Sequence, residues 1–137
     1  EQMLHRLEKL PDSEGILQLR QFLGKQISWI NQQLIPHQTQ LLANYPNPFN
    51  PETWIPYQLA KDGVVVLIIY NTLGEVVRSF NLGYQTAGYY LDQTRAVHWN
   101  GKNRTGESVT SGLYFYQIQV ESGKWKYTDA RKLVLVK

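Results

Sequence analysis

Cysteine is absent from the 137 residues, which excludes a disulfide framework, a thiolate zinc site and a cysteine nucleophile. No apolar run approaches the roughly 20 residues that a helix needs to cross a bilayer, so no transmembrane segment is expected. Charge of one sign is also scarce, with a net charge of only +3. Glu1, Glu8, Asp12 and Glu14 balance Arg6, Lys9, Arg20 and Lys25 in the first part, and the excess gathers late, at Lys124, Lys126, Arg131, Lys132 and Lys137. A nucleic-acid binder carries a denser basic stripe interleaved with stacking aromatics. Lysines spaced in this way suit a solvated strand edge instead, so nucleic acid is not an expected partner.

Catalytic constellations are missing as well. The three histidines are His5, His37 and His98, and Ser111 and Asp92 stand in no nucleophile-elbow pattern with any of them. Gly101, Gly106 and Gly112 lack the Lys-Ser/Thr pair and following helix of a phosphate-binding loop. Asn100, Asn103 and Glu107 offer one carboxylate where a calcium loop uses several. The sequence therefore predicts no enzyme, no cofactor and no metal site.

Hydrophobic residues make up 42% of the chain and charged ones 18%, proportions of a globular protein and not of a disordered one. The length supports one ordinary domain and a small appendage. Beginning at Glu1 without a start methionine or signal peptide, the chain reads as a fragment or a processed piece. Nine Tyr and four Trp are many for this length. Most fall after residue 44, and aromatic residues favour pleated, half-buried surfaces.

Residues 1–37 read as a helical hairpin or linker. Ile16, Leu19, Leu23, Ile27, Ile30 and Leu34 recur every three or four residues, the stripe of an amphipathic helix that Pro36 stops. Met3, Leu4, Leu7 and Leu10 mark a shorter helix before Pro11. Such a hairpin has too little core to stand alone. It is expected to dock on the following domain, on an upstream cargo domain or on a second copy, with Phe22 and Trp29 as docking residues.

From residue 38 the period changes. Pro46, Pro48, Pro51 and Pro56 exclude helix, and short apolar runs alternate with turn residues. Strands are predicted at 53–59, on an edge because of Pro56, at 64–70, central and covered, and at 75–82 after the turn Asn71-Thr-Leu-Gly74. Further strands fall at 96–99, ending on Asn100-Gly101, at 112–121, and at 124–127 and 132–136 after the tight turn Ser122-Gly123. Alternation puts Val65, Leu67 and Ile69 on an inner face. Either Leu113 and Phe115 or Tyr116 and Ile118 join them. Six or seven short strands with turns between them predict a mainly β fold, an antiparallel β-sandwich over 38–137.

One ordered series of motifs runs through this region: Asn44-Tyr-Pro-Asn-Pro-Phe-Asn-Pro-Glu-Thr53, Ile69-Tyr-Asn-Thr-Leu-Gly74, Gly88-Tyr-Tyr90, Trp99-Asn-Gly101, Ser111-Gly-Leu-Tyr-Phe-Tyr116 and Lys132-Leu-Val-Leu-Val-Lys137. It resembles the C-terminal sorting domain of type IX secretion substrates, a family that overlaps the Ig-like domain of the flagellar hook-cap protein. The resemblance covers residues 41–137. Asn100 stands where the family usually has Asp, and residues 91–95 are extra length. It implies a seven-stranded immunoglobulin-like sandwich at the end of a larger secreted bacterial protein, bound for the cell surface by way of the periplasm and outer membrane. It also implies two partners, the outer-membrane secretion machinery and a sortase-like peptidase that removes the domain and attaches the cargo to the surface. The domain would be the substrate of that peptidase.

Two segments are the candidate recognition elements. Pro46, Asn47, Pro48 and Phe49 form a stiff, poorly hydrogen-bonded stretch that either sets the angle to the cargo or is a preformed epitope. Lys132, Leu133, Val134, Leu135, Val136 and Lys137 complete a sheet and, by the resemblance, carry the address read by the exporter, which edge pairing would make possible. Tyr70, Asn71, Gly74, Trp99, Gly101, Gly112 and Tyr114 are the structural motif positions. Two alternatives stay open: a structural module that assembles with neighbours, and a carbohydrate-binding module using Tyr84, Tyr89, Tyr90 or Trp125.

Overall fold

The computed structural model describes residues 14–137, with the side chains of 14 and 26–33 left out of the description. The chain divides into two compact units, Glu1–Leu34 and Ile35–Lys137. Helix α1, Glu14–Gln33, lies in the first. It ends three residues before Pro36, whose ring disfavours helical geometry in the residue preceding it. Ile16, Leu19 and Leu23 of the apolar stripe are half-buried and Phe22 is exposed. A helical hairpin is expected here, but the structure gives a single helix among the described residues, and the first arm, with Met3, Leu4, Leu7, Leu10 and Pro11, lies outside them.

The second unit contains nine strands: β1 Gln40–Leu41, β2 Thr53–Ile55, β3 Tyr57–Leu59, β4 Gly63–Tyr70, β5 Val76–Gln85, β6 Gly88–Tyr90, β7 Val97–Trp99, β8 Gly112–Ser122 and β9 Trp125–Leu135. They form a four-stranded sheet in the order β5-β4-β8-β9, a three-stranded sheet β1-β3-β6 and a pair β2-β7, antiparallel throughout. One continuous core lies between the large sheet and the smaller ones. Val65, Leu67 and Ile69 of β4 and Tyr116, Ile118 and Val120 of β8 meet Leu41, Ile55, Tyr57, Leu59, Val97 and Trp99 from the other side.

The count of nine replaces the expected seven or so for local reasons. The single strand expected at 53–59 is two strands with Pro56 between them, since proline offers no N–H to continue a ladder. The chain changes sheets there: β2 pairs with β7, and β3 takes the middle place between β1 and β6 instead of an edge. Strands β1 and β6 are too short for alternation to reveal them. The segments expected at 124–127 and 132–136 are one strand, β9, whose middle runs past the core and is polar for that reason. Strand β4 is central but covered on one face only: Val65, Leu67 and Ile69 are wholly buried while Val64 is exposed. The open choice on β8 falls to Tyr116 and Ile118, with Leu113 and Phe115 on the outer face.

Candidate recognition site

Both candidate recognition segments belong to one site. Phe49 is buried and its ring packs on Trp99 with 5.3 Å between centroids. Its backbone runs parallel to the end of β9: Phe49 N–H donates to the Val134 carbonyl at 2.9 Å, and Val136 N–H donates to the Phe49 carbonyl at 3.0 Å. Asn47 Oδ1 accepts from Val134 N–H at 3.0 Å. The proline-rich stretch, which cannot enter a sheet centrally, therefore closes the outer edge of the terminal strand. Its Tyr45–Pro46, Asn47–Pro48 and Asn50–Pro51 bonds are cis. Within β9, Leu133 and Leu135 are buried, Lys132 is exposed and Val134 is half-buried, and Val136 and Lys137 just beyond it are exposed. Lys137 N–H donates to Ser111 Oγ at 3.0 Å.

A buried polar knot fixes the start of the stretch. Asn44 Nδ2 donates to Thr53 Oγ1 at 3.0 Å and to the Pro46 carbonyl at 3.3 Å, and Thr53 Oγ1 donates to that carbonyl at 3.0 Å. Asn44 N–H donates to the Tyr116 hydroxyl at 3.0 Å, which in turn donates to the Leu42 carbonyl at 2.7 Å. The Oδ1 atom of Asn44 is buried without a partner. Beyond the knot, Tyr45 and Trp54 exchange backbone hydrogen bonds at 2.9 Å and their rings stack. Trp54 also touches His98, which pairs with Glu52 at 3.1 Å. Sequence reasoning missed Asn44 and Trp54 as site residues. Asn44 opens the motif and Trp54 follows it by one residue, but contacts such as the bond from Asn44 N–H to Tyr116 leave no periodicity.

Trp99 and Gly101 hold the stretch to the sheets. Trp99 is fully buried, lies edge-on to Tyr114 at 5.7 Å, and donates from Nε1 to the Lys102 carbonyl at 2.9 Å. Gly101 has φ +74°, and a Cβ there would stand 2.9 Å from the Pro51 carbonyl oxygen. Alanine at Gly101 meets both left-handed backbone and that carbonyl, so Gly101→Ala is expected to cost about 1–3 kcal/mol. A thermal melt checks this, and an unchanged midpoint would contradict it.

The remaining motif residues are placed at a loop cluster. Asn71 Oδ1 accepts from Leu73 and Glu75 N–H, and Gly74 has φ +79°. Asn103, Gly106 and Glu107 repeat the same turn, with Asn103 Oδ1 accepting from Thr105 and Glu107 N–H. An oxygen so occupied suits a turn better than an ion. Asn71, Gly112 and Tyr114 line a cleft of about 510 Å³ between the loops, and Tyr114 donates to the Thr110 carbonyl at 2.7 Å. Tyr70 donates to Gln117 Oε1 at 3.3 Å. Among the described residues no group of three or more His, Asp or Glu could hold a metal. Asp92 caps Thr94 and Arg95.

Two core tyrosines respond to pH. Burial, with Tyr90 beside it, pushes the Tyr57 phenol well above its ordinary value, and Arg95 opposes this in part. Burial also raises Tyr116, against the hydrogen bond from Asn44 N–H and the nearby Arg131. A folded-state value above the unfolded one near 10.0 gives stability that is whole below that pH and is lost as pH rises through the folded value. The urea midpoint should therefore fall once the pH passes about 10. A midpoint that stays level well into the alkaline range would refute the assignment.

A model of the FlgD Ig-like domain family matches residues 53–124, more than half of the chain. The chain belongs to that family. The match ends short of both candidate recognition segments: Pro46–Phe49 precedes it, and all of β9 follows it. No curated protein matches the chain. Among solved structures, dimeric latent PorU from Porphyromonas gingivalis is similar at 20% identity over 74% of this chain and 9% of that one, with a TM-score of 0.55. FlgD from P. aeruginosa is similar at 27% identity over 56% of this chain and 57% of that one, with a TM-score of 0.46. PorZ, a surface component of the type IX secretion system of Porphyromonas gingivalis, is similar at 18% identity over 69% of this chain and 11% of that one, with a TM-score of 0.44. The chain spans less than two thirds of each of these proteins. The likeness to PorU supports the immunoglobulin-like fold.

Proposed function

We propose that the Ig-like unit is a non-catalytic sorting and surface-attachment module of a larger secreted bacterial protein. It would be recognised by outer-membrane secretion machinery and processed by a sortase-like peptidase. The ordered motif series motivates the reading. The observation that carries it is the clasp: Pro46–Phe49 and the end of β9, far apart in sequence, share backbone hydrogen bonds and offer a single surface. A machine reading that surface reads folded structure, and the module acts as its substrate.

The test is export of the 137-residue chain fused behind a periplasmic fluorescent reporter, in a bacterium that has the type IX machinery. Reporter at the surface or in the medium, lost when the exposed Val136 and Lys137 are changed to Asp and Glu, is the expected result. Retention of the unchanged fusion in the periplasm would overturn the reading and favour a module that assembles with neighbours.

A carbohydrate-binding reading keeps one observation in its favour. Trp125 and Tyr127 are near-parallel, 6.0 Å apart, and line a groove of about 520 Å³ with His37, Gln38, Gln40 and Asp129. Tyr90 is no longer a candidate for it, being buried and stacked on Tyr57 at 4.7 Å. Flat titrations with a polysaccharide panel would remove this reading.

A further inference from the structure

Just before the clasp closes, the lead-in and β9 part and leave a groove of about 390 Å³. It is lined by Ala43, Asn44, Asn47, Ala130, Arg131 and Lys132. Two features mark it as unfinished. The β9 edge is open along it. Val134 and Val136 turn their backbone groups towards the lead-in, and groups two residues apart on a strand point the same way. The N–H and C=O of Lys132 and the C=O of Ala130 therefore face the groove, while Ala130 N–H is taken by Asp129 Oδ1 at 2.9 Å. Finally, the charged lining residues, Arg131 and Lys132, are both cationic.

We infer that this groove is a docking slot for an extended, acidic peptide segment of a partner protein. The segment would add as a short strand to the open edge of β9 at Lys132 and pair carboxylates on its two faces with Arg131 and Lys132, which as strand neighbours point to opposite faces. Main-chain pairing supplies affinity in such additions and side chains supply selectivity. Opposite charge sets the partner's character, because a basic strand would meet like charge at both cations. The inference rests on the sorting reading for its biological setting and adds to it the chemistry of the partner and the place where it binds. The clasp is also given a second role: it occupies the β9 edge beyond Val134, so strand addition is confined to the slot.

The test is a titration of the isotope-labelled 137-residue chain, followed by amide and side-chain NMR shifts. The probes are a short capped peptide of consecutive glutamates, which presents carboxylates on both faces of a strand, and its lysine counterpart. The expected result is shifts at Asn44, Asn47, Arg131 and Lys132 with the acidic peptide alone. Lys132→Glu should weaken its binding by roughly tenfold or more, and Lys124→Glu, at the exposed hairpin turn, should leave it unchanged. Thermal melts of both variants confirm that each is folded. No shifts at millimolar peptide, equal binding of the basic peptide, or indifference to Lys132→Glu would each overturn the slot. The export reporter separates the two ideas. Export of the Lys132→Glu fusion at the unchanged level counts against the slot and leaves the sorting reading standing, whereas retention of the unaltered fusion sinks the sorting reading and the titration still decides the slot.

Discussion

Trp99→Ala should lower the unfolding free energy by about 3–5 kcal/mol, out of roughly 5–15 kcal/mol for a domain of this kind. The indole has no solvent exposure and lies between Phe49 and Tyr114, at 5.3 and 5.7 Å. Alanine leaves a cavity that the surrounding strands cannot fill, since β7 is paired to β2 along its whole length. The loss also reaches the clasp, because Phe49 then has no ring to pack on. Two measurements follow from this: a urea unfolding curve with an early midpoint, and faster amide exchange at Val136, whose N–H is held by the Phe49 carbonyl. A loss below about 1 kcal/mol would mean that the cavity collapses and that Phe49 finds another seat.

Deleting residues 132–137 should unfold the Ig-like unit and not merely remove an address. Leu133 and Leu135 are buried in the core, and truncating a buried leucine costs about 2–5 kcal/mol each time. The deletion takes both. It also strips the clasp of Val134 and Val136, so Phe49 loses its backbone partners. The two losses share an interface and will not add simply, yet even the lower figure doubled is comparable with the stability of a small domain. Circular dichroism and a thermal melt of the truncated chain check this, and a cooperative melt near the original midpoint would contradict it. Loss of export after such a deletion would report unfolding as readily as loss of a signal. The exposed positions Val136 and Lys137 are therefore the ones that separate the proposed address from the core.

Much of the fold was legible because burial imposes a period of two. Val65, Leu67 and Ile69 alternate with outward residues, and the β8 run from Tyr114 to Val120 does the same. The limits were equally physical. A three-residue strand such as β6 has two inward positions at most, too few to make a pattern. The middle of β9 overhangs the core, so nothing there requires an apolar side chain and it read as a gap between two strands. At the candidate site, the motif residues were identifiable one by one, but not the clasp. Phe49 and Leu135, bridged in the fold, stand more than eighty positions apart in the sequence.

The sequence by itself determined the class of fold, the break in character before the β unit, the turns at Asn71–Gly74 and Asn100–Gly101, and the absence of cysteine chemistry. These are local properties, set by backbone preferences and by which side chains must leave water. Only the tertiary structure decided that Pro56 is a corner between sheets, that Tyr116 and not Phe115 faces inward, and that the two candidate recognition segments lie side by side. Those outcomes depend on which strands become neighbours, and pairing between distant segments is chosen by the packing of the whole core.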